Sequence, residues 1–136
     1  MRAVLDPNVV LSGLLSPNGA PADVLRAFDS GEFESVVSRS LLDELERALG
    51  YPKLQRYIRP PDAEAVLRWI AESAAVVEDP EAPATIRSAD PGDDYLIALA
   101  ETQRAALVSG DKHLLSLSGE IPVFSPREFI DLLSTR

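Results

Sequence analysis

Five short apolar runs punctuate the chain: Arg2 to Leu5, Ser35 to Val37, Ala75 to Val77, Ala105 to Val108 and Ile121 to Phe124. Each is too short to be a helix, and none alternates apolar with polar residues. Runs of that kind suit strands buried on both faces. Longer stretches with helical periodicity separate them. Short buried strands alternating with amphipathic helices define an α/β protein with a mostly parallel sheet of about five strands and helices on both faces, a three-layer α/β/α arrangement. Pro122 marks the last strand as an edge, because proline donates nothing to a ladder.

The intervening segments carry their own start and stop signals. Val9, Val10, Leu11, Leu14 and Leu15 form a helical stripe that ends at Ser16-Pro17-Asn18-Gly19. Pro21 opens a second helix, with Val24, Leu25 and Phe28 inward and Gly31 closing it. Ser38 or Ser40 caps a helix over residues 41–49. A short helical piece around Leu54 to Ile58 precedes Pro60-Pro61, where a helix bearing Val66, Leu67, Trp69 and Ile70 begins. Residues 79–89 read as a loop, and a helix runs from about Pro91 to Arg104. Lys112 to Leu117 supplies one or two helical turns. Ser125, Pro126 and Glu128 form a capping sequence for a last helix. With no internal repeat, residues 1–136 are expected to form one domain.

Composition narrows the chemistry. There is no cysteine, so disulfides, thiolate metal sites and cysteine nucleophiles are excluded. No apolar run is long enough to cross a bilayer. An acid at position 6 is too early for a signal peptide, and the expected location is cytoplasmic. The formal net charge of -9 argues against binding nucleic acid through basic patches. It does not argue against a nuclease, because carboxylates gathered around divalent cations are neutralised by them.

In parallel α/β sheets, ligands sit at the carboxyl ends of the strands, near the point where strand order reverses. Asp6 ends the first strand, and Asp111 follows the fourth. Each also fits as a helix cap. Asp90, Asp93 and Asp94 crowd the start of the 91–104 helix. Asp90 before Pro91 is a natural N-cap, Asp93 is either a capping partner or a site acid, and Asp94 has no capping task. The helix dipole offsets only about 0.3–1 kcal/mol of charge there, too little to keep several close carboxylates ionised without a cation. In the 41–49 helix, Glu44 and Glu46 flank the apolar arc at opposite borders, and periodicity does not choose between them. No serine is placed with the single histidine, His113, in a triad, and no Walker-type glycine loop is present. A receiver-type phosphoacceptor is disfavoured: the acids follow the first and fourth strands, and nothing ionic directly follows Phe124.

Four segments together resemble the PIN domain family: Val4-Leu5-Asp6-Pro7-Asn8-Val9-Val10, Ser38 to Leu45, Asp90 to Ala100, and Leu107 to Leu115. The resemblance covers essentially the whole chain and lies nearest the toxin components of type II toxin–antitoxin pairs. It implies a metal-dependent endoribonuclease that leaves a free 3′-hydroxyl. Asp6, Glu44, Asp94 and Asp111 would be the acidic, metal-holding quartet, with Asp93 and Asn8 as accessory residues. The family pattern prefers Glu44 to Glu46. Oxygen ligands without cysteine or a suitable histidine favour Mg²⁺ or Mn²⁺. The partners implied are an RNA substrate, an antitoxin protein and a second copy of the chain. The apolar stretches 14–28 and 54–69 are either cover sites for a partner or plain core. Arg39, Lys53, Arg56, Arg59 and Lys112 are the basic residues near the expected site, none with an assigned role. One departure stands out: Pro7 replaces the Ser or Thr that usually follows the first Asp. It removes a hydroxyl and an N–H, and so admits a catalytically weak or silent RNA- or protein-binding module as the alternative.

Overall fold

A computed structural model describes residues 1–135. Five strands, β1 (Arg2–Leu5), β2 (Glu34–Ser38), β3 (Ala75–Val77), β4 (Ala106–Val108) and β5 (Val123–Phe124), form one sheet in the order β3-β2-β1-β4-β5. Every pairing is parallel. β5 is an edge strand, as Pro122 predicts, but shorter than the apolar run. The N–H of Ile121 turns back to the carbonyl of Leu117 at 3.0 Å, so ladder pairing starts only at Val123.

The helices are α1 (Pro7–Leu15), α2 (Ala20–Asp29), α3 (Arg39–Leu49), α4 (Pro52–Gln55), α5 (Pro60–Ser73), α6 (Asp94–Gln103), α7 (Lys112–Leu115) and α8 (Pro126–Ser134). The crossovers β1→β2→β3 step one way along the sheet, and β3→β4 steps back the other way. Right-handed crossovers therefore place α6 on the face opposite α1, α2, α3 and α5. Strand order reverses between β1 and β4, and the carboxyl ends of those two neighbours frame a crevice.

The core lies on both sides of β1, β2 and β4, where Ala3, Val4, Val36, Leu107 and Val108 are buried. In α3, Leu41, Leu45 and Leu49 recur every fourth residue and are all buried, and the Ser38 hydroxyl accepts the Leu41 N–H at 3.3 Å. Burying each of those leucines contributes about 1.5–3 kcal/mol, which fixes which side of α3 meets the sheet. Phe33 meets Phe129 edge-on at 4.9 Å, and Phe28 meets Trp69 at 5.1 Å. The Trp69 indole N–H donates to Asp29 at 3.1 Å, so this tryptophan packs on the core with its polar edge satisfied. At Gly13 an added Cβ would stand 2.6 Å from a Leu25 methyl and 2.9 Å from the Pro21 carbonyl, which lets α1 and α2 touch closely.

The helix expected over 91–104 is not continuous. Pro91–Asp93 forms a 3-10 turn, the Asp90 side chain caps that turn by accepting the Gly92 N–H at 3.0 Å, and α6 begins at Asp94. This break redirects the acids at its start. The loop 79–89 is tied down at three points. Asp79 accepts the Ser40 N–H at 3.1 Å, and Thr85 donates from N and Oγ1 to Glu101 at 3.1 and 2.6 Å. The Ser88 N–H reaches Asp94 at 2.8 Å.

Candidate metal centre

Asp6 is the first residue beyond β1. Its N–H still bonds the Val108 carbonyl at 2.9 Å, so the parallel register carries it to the crevice floor. It is 4% exposed. One carboxylate oxygen accepts the Asn8 N–H at 3.0 Å and caps α1; the other accepts the Ser109 hydroxyl at 2.8 Å. Capping and site placement thus coexist in one side chain. Burial pushes the Asp6 carboxyl above its ordinary range. The Asn8 and Ser109 hydrogen bonds oppose that rise, and the charges of Glu44 and Asp111 add to it.

Asp111 follows β4 by the same logic. One oxygen accepts the His113 N–H at 2.8 Å, and its own N–H donates to the Ser109 hydroxyl oxygen at 3.0 Å. Ser109, fully buried, therefore bridges the two strand-end acids. Glu44 enters from α3, half-buried, whereas Glu46 is exposed. The Tyr95 hydroxyl donates to one Glu44 oxygen from α6.

Asp93 completes the group. The 3-10 turn ends on it, its side chain caps nothing, and its Oδ2 is buried without a hydrogen-bond partner. Burial first, then hydrogen-bonding reach of Asp111, then the charges of Asp111, Asp6 and Asp90 push its carboxyl up to about 7. Two ionised carboxylates are both acceptors and cannot satisfy each other; a proton on Asp93 makes the bond to Asp111 possible.

Asp94 faces elsewhere. Its oxygens take the Ser88 N–H at 2.8 Å and pair with Arg87 at 3.4 Å, anchoring the loop. The helix-start pattern singles out Asp94 as the acid without a structural task and leaves Asp93 as either capping partner or site acid. In the structure it is Asp94 that has structural partners, and Asp93 that stands with Asp6, Asp111 and Glu44. Asn8 is exposed and lines a groove of about 330 Å³ with Ser12, Gly110 and Asp111. Lys112 and His113 are exposed on α7, and Arg39 pairs with Asp43 at 3.4 Å on the outer surface of α3. Ser109 and Tyr95 are the hydrogen-bond partners of these acids that sequence reasoning missed. Ser109 had a legible signal: a serine two residues before an aspartate commonly accepts that residue's N–H.

Among the described residues, no three Asp, Glu, His or Cys side chains are gathered as a ready-made cage for an ion. The donor chemistry nevertheless fits a hard divalent cation. Asp93 Oδ2 lacks any donor, and the side chains raise one another's proton affinity, which is the condition a cation relieves. Asp6, Glu44, Asp93 and Asp111 are the residues that would hold one.

The structure defines a class: an all-parallel α/β protein with an acidic crevice at the switch point of its sheet. The PIN domain model matches residues 2–113, which include Asp6, Glu44, Asp93, Asp94 and Asp111, and the chain belongs to the PIN domain family, mostly metal-dependent nucleases. A relative in Methanocaldococcus jannaschii, the uncharacterized protein MJ1680, is 28% identical over 141 residues, covering 96% of this chain and 90% of that protein. Among solved structures, VapBC2 from Rickettsia felis, bound to a DNA fragment from their promoter, has a similar fold. Its TM-score is 0.61 at 11% identity, covering 92% of this chain and 98% of that one. A domain of a functionally unknown M. jannaschii protein is similar with a TM-score of 0.54 at 15% identity, covering 91% and 89%. No helix among the described residues is long and apolar enough to cross a membrane.

Proposed function

We propose that this PIN domain is a metal-dependent endoribonuclease, the toxin of a toxin–antitoxin pair, with Asp6, Glu44, Asp93 and Asp111 holding Mg²⁺ or Mn²⁺. The observation that carries the reading is Asp93: a buried carboxylate oxygen with no donor, beside other acids, at the switch point of a parallel sheet. A divalent ion held there would supply Lewis-acid charge for a phosphate oxygen and would lower the pKa of a bound water.

The chain's own residues prepare that chemistry. Asp6 is immobilised by the Asn8 N–H and the Ser109 hydroxyl. Asp111 is fixed by the His113 N–H on one oxygen. Asp93 releases the proton that it otherwise keeps near neutral pH. The exposed Asn8 side chain, in the groove beside Asp111, is placed to meet the RNA flanking the cut. Exposed Leu15, Tyr51 and Tyr57 offer apolar surface to an antitoxin or to a second copy of the chain.

Cleavage of single-stranded RNA with Mn²⁺ tests this. Asp6→Asn and Asp93→Asn are expected to lower the rate by more than about 100-fold, beyond the 10–100-fold that an outer-sphere partner commands. Asp94→Asn stays within about tenfold of the parent. A fully active Asp93→Asn protein sinks the assignment. A binding-only module is the second reading, favoured by Pro7, which is buried at the start of α1 and leaves no hydroxyl there. It predicts RNA binding with no cleavage in any metal.

A further inference from the structure

Tyr95 is absorbed neither by the family pattern nor by the acidic quartet. It stands in the first turn of α6, and its hydroxyl donates to Oε2 of Glu44, 51 residues away on α3. The two helices lie on opposite faces of the sheet, so this bond spans the carboxyl edge of the strands. The hydroxyl also feels the charges of Asp6 and Asp93. It therefore lies within electrostatic reach of three of the four acids, Glu44, Asp6 and Asp93.

We propose that Tyr95 is the positioning residue for Glu44, holding Oε2 so that Oε1 is presented to a divalent cation shared with Asp6, Asp93 and Asp111. Glu44 needs such a constraint more than the other acids. Asp6 and Asp111 are short side chains pinned by backbone N–H groups at strand ends. Glu44 is longer, lies at the border of the apolar arc of α3, and among the described residues has no N–H donor. A free glutamate loses several rotamers on binding an ion, and a donor that fixes it beforehand removes much of that cost. Tyr95 is suited to the task chemically. A phenol is an uncharged O–H donor throughout the neutral range. The ring is half-buried beside the loop 79–89, which limits its own motion.

This inference rests on the metal-site reading above, and the test separates the two. Tyr95→Phe keeps the ring and removes only the donor. Mn²⁺ binding is measured by calorimetry on the intact protein, alongside the melting temperature without metal. The expected result is Mn²⁺ affinity weakened about 10-fold or more, with metal-free melting changed little. In the Glu44→Gln background the same change is expected to add no further loss. Parent-like Mn²⁺ affinity in Tyr95→Phe overturns the role of Tyr95 and leaves the metal site standing. A drop in melting temperature with unchanged affinity overturns it as well, making the bond a plain structural tie. An affinity loss that persists undiminished in Glu44→Gln shows that Tyr95 does not act through Glu44 and overturns the proposal. Absence of Mn²⁺ binding by the parent overturns both readings.

Discussion

The Ser109 hydroxyl donates to Asp6 Oδ2 at 2.8 Å across 103 residues of sequence, joining the carboxyl ends of β4 and β1 at the bottom of the crevice. The Ser109 hydroxyl oxygen also accepts the Asp111 N–H at 3.0 Å. One buried serine thus serves both strand-end acids.

Ser109→Ala removes the donor to a buried carboxylate and the acceptor for the Asp111 N–H. Leaving buried polar groups unpaired costs about 1–3 kcal/mol. Chemical denaturation should report a loss of that size with an unchanged m-value. A loss under about 0.5 kcal/mol, the range of an ordinary surface change, would show that water replaces the hydroxyl.

Much of this arrangement is legible in the residues, and the rest is hidden for physical reasons. Asp6 and Asp111 are found because strand ends are marked by apolar runs that stop. Glu44 is narrowed only to a pair by periodicity; the buried Leu41, Leu45 and Leu49 turn Glu44 inward and leave Glu46 in solvent. That Asp94 ties down the loop while Asp93 stands beside Asp111 is beyond local sequence. It depends on Ser88 and Arg87, which lie in an aperiodic loop, and on a 3-10 turn that shifts the start of α6. Tyr95 reads as one more apolar residue in Tyr95-Leu96-Ile97, because periodicity is blind to a hydroxyl.

Arg104 is the only non-glycine residue at positive φ among the described residues, with φ 51° and ψ 46°, where α6 ends. Left-handed geometry costs an L-residue about 1–2 kcal/mol, and glycine is exempt. The greater freedom of glycine in the unfolded chain offsets about 0.4–1 kcal/mol of that. Arg104→Gly should therefore raise the melting temperature by roughly 2 °C, given about 2–8 °C per kcal/mol for domains of such sizes. Arg104→Ala, still an L-residue, should give no gain. Equal effects would mean that the arginine side chain, not its backbone, sets the outcome.

The proton on Asp93 makes metal-free stability depend on pH, and the sign follows from linkage. The folded protein holds this proton up to about pH 7, whereas the ordinary carboxyl value is 3.8. Between those values the folded state binds more protons, so the contribution is complete at low pH and is lost as pH rises through about 7. The metal-free parent should lose melting temperature relative to Asp93→Asn between pH 5 and pH 8. Because the Asp111 carboxylate is among the causes that raise Asp93, Asp111→Asn should flatten the same profile. A parent-minus-variant difference that stays constant with pH would rule the shared proton out.

Asp94 carries the most direct contrast with Asp93. Its carboxylate accepts the Ser88 N–H at 2.8 Å and pairs with Arg87 at 3.4 Å. The ion pair is exposed on the arginine side and adds little, since exposed pairs contribute about 0–1 kcal/mol. The Ser88 bond matters more, because Ser88 is buried and its N–H has no other acceptor within the loop. Asp94→Ala should cost about 1–3 kcal/mol and speed hydrogen exchange at the Ser88 amide ahead of the sheet. Thr85–Glu101 and Asp79–Ser40 still hold the two ends of the loop, so the opening stays local. With Asp94 outside the proposed ligand set, Mn²⁺ affinity should change by less than about 10-fold, the lower bound for an outer-sphere partner. If Asp94→Ala instead abolished Mn²⁺ binding while Ser88 remained protected, Asp94 would be a ligand and not a clamp. The acid at the start of α6 would then have to rotate toward the crevice when the ion binds.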